Sequence, residues 1–570
     1  MQHAAFVVLA LAVQTLAGAE LGPGTLVTEL DGTTGYRILP LPSPDGDVVG
    51  VEVASADFNN DGFGDLVLGF PTDRSNRGNT HVVYGGVGVG ASGEIRLQDA
   101  NGVNGGRLSP SEFVYSGSAV ADAGDINGDG RPDLLIGAPR YNPNFTNHGV
   151  GYCYVMYSPV SFGGNGLFNF DNMLPHNGYR VEGELSNELC GRSVRSAGDF
   201  NGDGYADIVL GAHEANGVDG AIDSGKAYVV FGNTHGASPA SVQLSNLSAQ
   251  QGLVVLGEGD YDYAGVEVRG IGDFNGDGYD DVAVGAPALG NQIEDGLSSC
   301  YIVFGGESVG TGGEITASDL DGSNGFVFTT GVEGDILGLA IAGDVDLNED
   351  GFDDLLIAAR GANPGGRESA GSVYVVYGRA AAVAGGAMSS ADIASEGFRI
   401  DGEEPGDGLG YSLDSGGDFN GDGRPDLLLG APGFTSSDGV PGRSYVLFGS
   451  DSLGAGGVVD LTQLDETVGR WIDGDRIGFS LAFVPDTNGD GVDDLLLSSR
   501  GVGAYVVFGR AAIAPCVGDV VADGWVDSSD LAVLLASWGS DNGADTDGNG
   551  VVDAADIAVM LAAWGPCDGK

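Results

Sequence analysis

Seven times the chain writes nearly the same nine residues: Asp first, Asn third, Asp-Gly at positions 5 and 6, and Asp ninth. The first copy, DFNNDGFGD, runs from Asp57 to Asp65, and the others begin at Asp125, Asp199, Asp273, Asp346, Asp418 and Asp486. Successive copies stand 68, 74, 74, 73, 72 and 68 residues apart. A fixed long period of this kind marks a repeat fold, in which no unit buries its apolar surface alone. An oxygen-rich loop in every unit adds a second constraint, because such loops suit hard cations.

The flanks repeat as well. A Gly precedes the loop within an apolar and polar alternation, as in CGRSVRSAGDF from Cys190, AGVEVRGIGDF from Ala264 and LGYSLDSGGDF from Leu409. After the loop comes a short apolar strand ending in small residues: DLLIGAP, DIVLGAH, DVAVGAP or DLLLGAP. A variable loop then leads to an aromatic-rich strand, such as AYVVFG from Ala227 or VYVVYG from Val373. A long connection ends in a fourth strand, such as GYRVEGE from Gly178 or GFRIDGE from Gly397. Short β-branched runs bounded by Gly, Asn and Asp are all-β patterning. Four strands per ~70 residues, seven times over, predict an all-β, seven-bladed β-propeller of four-stranded blades. The seventh repeat ends at Phe508-Gly509 without a fourth strand, while LDGTTGYRI, ending at Ile38, matches LDGSNGFVF, ending at Phe328. The N-terminal strand around Tyr36 is therefore expected to complete the last blade and remove the open edge.

These residues resemble the FG-GAP repeats of integrin α-subunit propellers, with Leu409-Gly410 before a loop and Gly430-Ala431-Pro432 after it. Ala358-Ala359-Arg360 and Ser498-Ser499-Arg500 depart from the second half of that pattern. The resemblance covers residues 25 to 510. It implies acidic loops on one face of a disc and macromolecular ligands on the other. That second face would carry Arg74, Arg77, Arg140, Tyr141, Phe145, Tyr261, Tyr263, Arg367 and Arg443, residue types common at contacts. No repeat spacing exceeds 74 residues, which leaves no room for an inserted metal-dependent adhesion domain.

The acidic loops read as calcium sites. Calcium takes six to eight oxygens, backbone carbonyls among them, whereas magnesium demands stricter octahedral geometry. Positions 1, 3, 5 and 9 supply side-chain oxygens, position 7 its carbonyl, and the Gly at position 6 the sharp turn. The predicted sets are Asp57, Asn59, Asp61, Phe63 and Asp65; Asp125, Asn127, Asp129, Arg131 and Asp133; Asp199, Asn201, Asp203, Tyr205 and Asp207; and Asp273, Asn275, Asp277, Tyr279 and Asp281. They continue with Asp346, Asn348, Asp350, Phe352 and Asp354; Asp418, Asn420, Asp422, Arg424 and Asp426; and Asp486, Asn488, Asp490, Val492 and Asp494. In the fifth repeat, GDVDLNEDGFDD, Asp344 either replaces Asp346 in the first place or joins it there. The alternative, an Asx-type turn in each repeat, needs no carboxylate at position 9.

Composition agrees with this reading. The chain of 570 residues carries a formal charge of −58. That charge disfavours nucleic acid and anionic membranes, and favours divalent cations or basic partners. Solubility in salty surroundings is a further explanation for its excess beyond the loops. The apolar run from Ala4 to Leu16, then Ala17-Gly18-Ala19, reads as an export leader of residues 1–19. No other run reaches the ~20 apolar residues of a membrane span. Cys153, Cys190, Cys300, Cys516 and Cys567 form no CxxC pair, so a thiolate zinc site is not expected. Their odd number leaves at least one thiol free, and export would let Cys516 and Cys567 pair.

The texture changes after Pro515, which divides the mature chain into a propeller over 20–512 and a module over 513–570. DVVADGWVDSSD and DTDGNGVVDAAD are each followed by an apolar helix, LAVLLASWG and IAVMLAAWG. This duplicated loop and helix resembles a type I dockerin, in which Asp closes a twelve-residue, EF-hand-like calcium loop. The resemblance assigns Asp545, Asp547, Asn549, Val551, Asp553 and Asp556 to the second loop. The first has Asp519, Asp523, Trp525, Asp527 and Asp530, but Val521 at position 3 removes one ligand. Ser528-Ser529 and Ala554-Ala555 match the positions through which dockerins read a cohesin. A small calcium-stabilised helical cap is the simpler alternative.

Together these readings predict a secreted, extracellular or cell-surface, non-enzymatic adhesion or scaffold protein. It would hold about seven calcium ions in the propeller and one or two in the module. Its propeller would bind a protein or polysaccharide, and its module would tether it, through a cohesin-like partner if one exists. The rival is a polysaccharide-degrading hydrolase or lyase whose paired carboxylates hide among the many Asp. Six scattered His form no nucleophile or zinc motif, and the repeats leave no separate catalytic domain.

Overall fold

The strand after each acidic loop is apolar throughout because both of its faces are covered. In Asp494–Ser499, Leu495 and Leu497 join a cluster with Phe419, Val446 and Ile472, while Leu496 joins another with Tyr36, Leu66 and Leu68. Side chains alternate across a strand, so one strand feeds two cores. Seven such clusters fill the gaps between neighbouring sheets and make up the hydrophobic core of the ring.

The computed structural model describes residues 24–40, 52–72, 76–139, 150–160, 162–185, 188–232, 241–289, 297–307, 309, 313–380, 383–436, 439–465 and 467–510. In the C-terminal segment it describes 525–526, 528–539, 546, 551–562 and 565–566. The chain divides into two compact units, one reaching Gly509 and one beginning at Arg510. The expected leader, residues 1–19, and the expected Cys516–Cys567 pair lie outside the described residues.

The first unit is a seven-bladed β-propeller. Blade 3 is representative: Val194–Gly198, Asp207–Ala212, Lys226–Val230 and Gly252–Leu256 pair antiparallel in chain order. The first strand of each blade is innermost, and those of neighbouring blades touch around the axis. To the four expected strands each sheet adds a short fifth, paired in parallel with the fourth. In blade 3 this is Glu314–Thr316, which belongs to the long connection of blade 4. That connection runs past the outer edge of the preceding blade, and three residues of it bond there before a single 3-10 turn. The parallel strap covers an edge that would otherwise be open.

The N-terminal segment closes the ring twice. Gly35–Leu39 is the fourth strand of blade 7, with Tyr36 opposite Val506 and Ile38 opposite Ala504. Ahead of it, Gly24–Leu26 is the fifth strand of blade 6, with Thr25 opposite Ile472. The expected closing strand is therefore present, and a second attachment precedes it.

The Gly ahead of each loop sits where two blades meet. Gly265 adopts φ +85°, a region costly for residues with a Cβ. Its N–H donates to the Gly285 carbonyl, and a Cβ on Gly211 of the preceding blade would lie 1.8 Å from the Gly265 oxygen. The Gly of the GAP pattern is thus set by close contact between backbones of neighbouring blades.

The second unit contains the helices Ser528–Ala536 and Ala554–Ala562 and a two-stranded pairing of Trp525–Val526 with Gly565–Pro566. Val526, Leu534, Val552 and Met560 form its core. Cys153, Cys190 and Cys300 are buried free thiols in the propeller.

Candidate metal centres on one face of the ring

Each acidic loop joins the first strand of a blade to the second, so all seven lie on one face of the disc. The Asp at position 1 organises the loop. Its Oδ2 accepts the N–H of the position-6 Gly in every blade, at 2.7–2.9 Å. In six blades its Oδ1 accepts the N–H of position 5. In the fifth blade Asp346 makes these bonds, so Asp346 holds the first place; Asp344 lines the axial cavity instead. The position-5 carboxylate accepts the N–H of position 7 in the same six blades. Asn201, Asn275, Asn348 and Asn420 accept the N–H of position 5 through their side-chain oxygens.

Position 9 is different in kind. Asp65, Asp133, Asp207, Asp281, Asp354, Asp426 and Asp494 are all fully buried. Each accepts, through Oδ1, the N–H of the residue that follows the aromatic strand of its own blade, at 2.7–3.0 Å. That residue is Ser158 in blade 2 and Gly in the other six. At Gly232 a Cβ would meet the Ala206 carbonyl oxygen at 2.3 Å. The Gly after the aromatic strand thus lets the third strand end against the loop.

Burial pushes six of the position-9 carboxyls up. Asp133, Asp207 and Asp281 rise to about 8, and Asp65, Asp354 and Asp494 to about 7. Backbone N–H donors oppose the shift, and neighbouring loop carboxylates add to it, such as Asp203 and Asp199 at Asp207. Three acids of like charge share each loop, and one of them is out of water.

The donor chemistry of these loops fits a hard cation. Asn59 Oδ1 and Asp281 Oδ2 are buried and accept no hydrogen bond, although buried polar atoms are normally paired. Carboxylate oxygens bonded to one N–H keep further lone pairs. Among the described residues no three His, Cys, Asp or Glu side chains converge tightly enough to form a metal cage. Positions 1 and 5 face the loop amides, with position 9 buried behind them.

In the second unit, Asp556 is buried and its Oδ1 and Oδ2 accept the N–H groups of Thr546 and Asp553. Asp553 accepts from Ala555 and caps the second helix, and Val551 is exposed. Asp519, Asp523, Asp527, Asp545, Asp547 and Asn549 lie outside the described residues, as do the side chains of Trp525 and Asp530.

One group of loop residues is not visible in the nonapeptide reading. At position 8, Asp280, Asp353 and Asp493 accept the N–H of Asp199, Asp273 and Asp418 in the preceding blade, at 2.6–2.9 Å. The signal is the Asp-Asp doublet that ends these three loops. The position-8 N–H reaches the same neighbour: Gly64, Ala206, Asp280, Asp353 and Asp493 donate to the position-1 carbonyl of the blade before. Pro132 and Pro425 have no N–H to give at the other two junctions.

The FG-GAP repeat family matches residues 49–84, 117–156, 191–230, 270–296, 337–376 and 409–447. The chain is an FG-GAP β-propeller. Integrin alpha pat-2 of Caenorhabditis briggsae is 30% identical over 261 residues, 43% of this chain and 18% of that protein. Integrin alpha-5 of Xenopus laevis is 27% identical over 250 residues, 43% of this chain and 20% of that protein. A phosphatidylinositol-glycan-specific phospholipase D of Bos taurus is 30% identical over 270 residues, 44% of this chain and 29% of that protein. The matching region spans less than a third of each relative. The acidic loop starting at Asp486 lies outside the six family matches, yet its blade has the same strands and loop bonds. No helix among the described residues is long and apolar enough to cross a membrane.

The opposite face holds the loops between second and third strands and those that enter each blade. Arg77 lies there, stacked over Phe113. Tyr261 and Tyr263 stand 6.3 Å apart, and Tyr263 lies 6.2 Å from His213. Arg367 is bonded to Asp460. Arg443 is not an exposed contact residue as expected: it is buried, forked onto Asp473, bonded to Glu403 and laid 3.6 Å from the Phe434 ring centre. Arg443 lies within the strand Pro441–Leu447 rather than in a loop, and strand pairing sets it opposite Asp473, whose carboxylate takes its guanidinium fork. Arg74, Arg140, Tyr141 and Phe145 lie outside the described residues.

Proposed function

We propose that this FG-GAP propeller is an exported, calcium-stabilised binding protein of the adhesion or scaffold type. Calcium would be held by positions 1, 3, 5 and 9 of the acidic loops with the position-7 carbonyl, and would neutralise the acids gathered there. The observation that carries the reading is the contrast between the two faces. One carries the seven acidic loops; the other exposes Phe113, Leu185, Ile222, Leu297 and Val332 on its loops, although Val87 is also exposed, beside the acidic loop of blade 7. Large apolar side chains spread over the loops of one face are material for a contact surface. The integrin relatives support adhesion as the class of function. The C-terminal unit, with its helix-capping Asp553 and buried Asp556, would serve as a dockerin-like tether.

A second reading follows from the phospholipase D relative: an FG-GAP propeller can accompany an enzyme. Retention of surface material from the producing organism on the immobilised full chain separates the two. We expect retention that calcium sustains and chelator abolishes, with no product released. Release of reducing sugar or of a lipid-linked anchor, with turnover, would favour the enzyme.

A further inference from the structure

We propose that the axial cavity, at its mouth away from the acidic loops, binds a small carboxylate-bearing sugar of the uronate class. This rests on the reading above that the face away from the loops is the binding face. The cavity has a volume of about 610 Å³ and is lined by the innermost strands of the blades. That is the size of a small-molecule site rather than of a flat protein contact.

The two ends of the cavity differ. Where the inner strands run out into the acidic loops, the lining carries Asp122, Asp280 and Asp344. At the other end stand Arg192 and Arg360, with Arg500 beside them. Arg360 lies over Tyr411 at 5.2 Å and Arg500 over Phe479 at 5.5 Å, and the two rings meet edge to face at 4.9 Å. The rim is therefore two guanidinium groups seated on a pair of touching rings.

Among the described residues no carboxylate is paired with Arg360 or Arg500, while Arg195, Arg269, Arg399 and Arg443 all have such partners. Arg77, Arg131 and Arg192 also have no ion pair among the described residues; what sets Arg360 and Arg500 apart is their shared seat on two touching rings at one mouth. Arg192 donates to the Ser118 carbonyl and stands beside Glu52; Arg195 and Ser193 occupy Glu267, and Arg269 occupies Asp414. Glu267 and Asp414 are thus paired inside the cavity, Glu52 lies in the field of Arg192 and Arg195, and Arg360 and Arg500 remain for a ligand.

Planar guanidinium groups bind carboxylates through paired N–H donors. Aromatic rings held beside them offer an apolar surface to a flat polar molecule. The acids at the far end would repel an anion that went deeper, which keeps the carboxylate at the rim. A basic ligand would meet Arg360 and Arg500 first and be excluded. A small polar body with a carboxylate, as in a uronic acid, fits all four features.

The test is calorimetric titration of the full chain, at fixed excess calcium, with a galacturonate trisaccharide and with its neutral galactose counterpart. We expect the acidic sugar to bind and the neutral one not to. Arg360→Gln with Arg500→Gln should weaken binding about tenfold or more, each single variant less, and Arg77→Gln on the same face not at all. Melting curves of the variants establish that they remain folded. Absence of binding by the acidic sugar, equal binding of both sugars, indifference to the arginine variants, or preference for a glutamate-rich peptide would each overturn the proposal. If calcium-dependent retention of surface material persists while this titration fails, only the assignment of the cavity falls.

Discussion

At the residue scale, the position-9 Asp has two duties that calcium would separate. Asp207 ties the end of the third strand through Gly232 and the start of its own loop through Asn201. Without a cation it pays for burial beside Asp199 and Asp203. Asp207→Asn should therefore change stability little in chelator but lose most of one site's share of calcium stabilisation. That share is about 2.7 kcal/mol at a hundredfold excess over Kd. Paired melts with and without calcium measure it, and an equal loss in both conditions would contradict the assignment. His213 gives a pH prediction free of metal. Burial, aided by Arg192, depresses its imidazole to about 4, against about 6.5 in an unfolded chain. The unfolded state then binds a proton that the folded state refuses. This contribution to stability is complete above about pH 6.5 and is lost as pH falls toward 4, at up to roughly 1.4 kcal/mol per pH unit. His213→Gln should flatten that slope in urea titrations across this range; an unchanged slope would show that His213 takes up its proton in the folded state. Positions 1, 3, 5 and 9 were legible in the sequence because all seven copies keep them. Position 8 was not, because its meaning lies in the neighbouring blade, and only three copies use a carboxylate there.

At the element scale, strand type and order were readable from apolar runs punctuated by Gly. The fifth strands were not. Each is three residues long, as in EIT at Glu314–Thr316, and bonds to a different repeat from its own. Arg443 was misplaced for a related reason: its carboxylate partner, Asp473, is 30 residues away and meets it only through strand pairing. The N-terminal segment is the element on which closure depends. Removing residues 20–40 should take out a strand from blade 7 and a strap from blade 6. Hydrogen exchange should then rise in Gly503–Val507 and Gly469–Asp473 before it does in blade 3. Uniform protection after truncation would refute closure through this segment. Tyr36, buried and packed edge-on against Phe508 at 5.7 Å, should be the most costly single position. Its replacement by Ala is expected to cost about 3–5 kcal/mol in denaturant unfolding.

At the scale of the whole molecule, the acidic loops are linked into a nearly continuous circuit. Position 8 of one blade bonds to position 1 of the blade before it at five of seven junctions. The period and the count of loops were enough to read the ring from sequence, since seven units of four strands leave few other architectures. The circuit was hidden because its partners lie 75 to 81 residues apart, or 422 where the ring closes, and use backbone atoms. A cation held in one loop would stiffen the carbonyl that the next blade uses, so loss of calcium should loosen the ring as a whole. The most direct measurement is calcium titration of the chelator-stripped full chain by calorimetry, followed by thermal melting. About seven ions or more should bind, with a melting temperature that rises as calcium is added. No heat of binding and a melting temperature indifferent to calcium would contradict it, and would leave the seven loops as hydrogen-bonded turns.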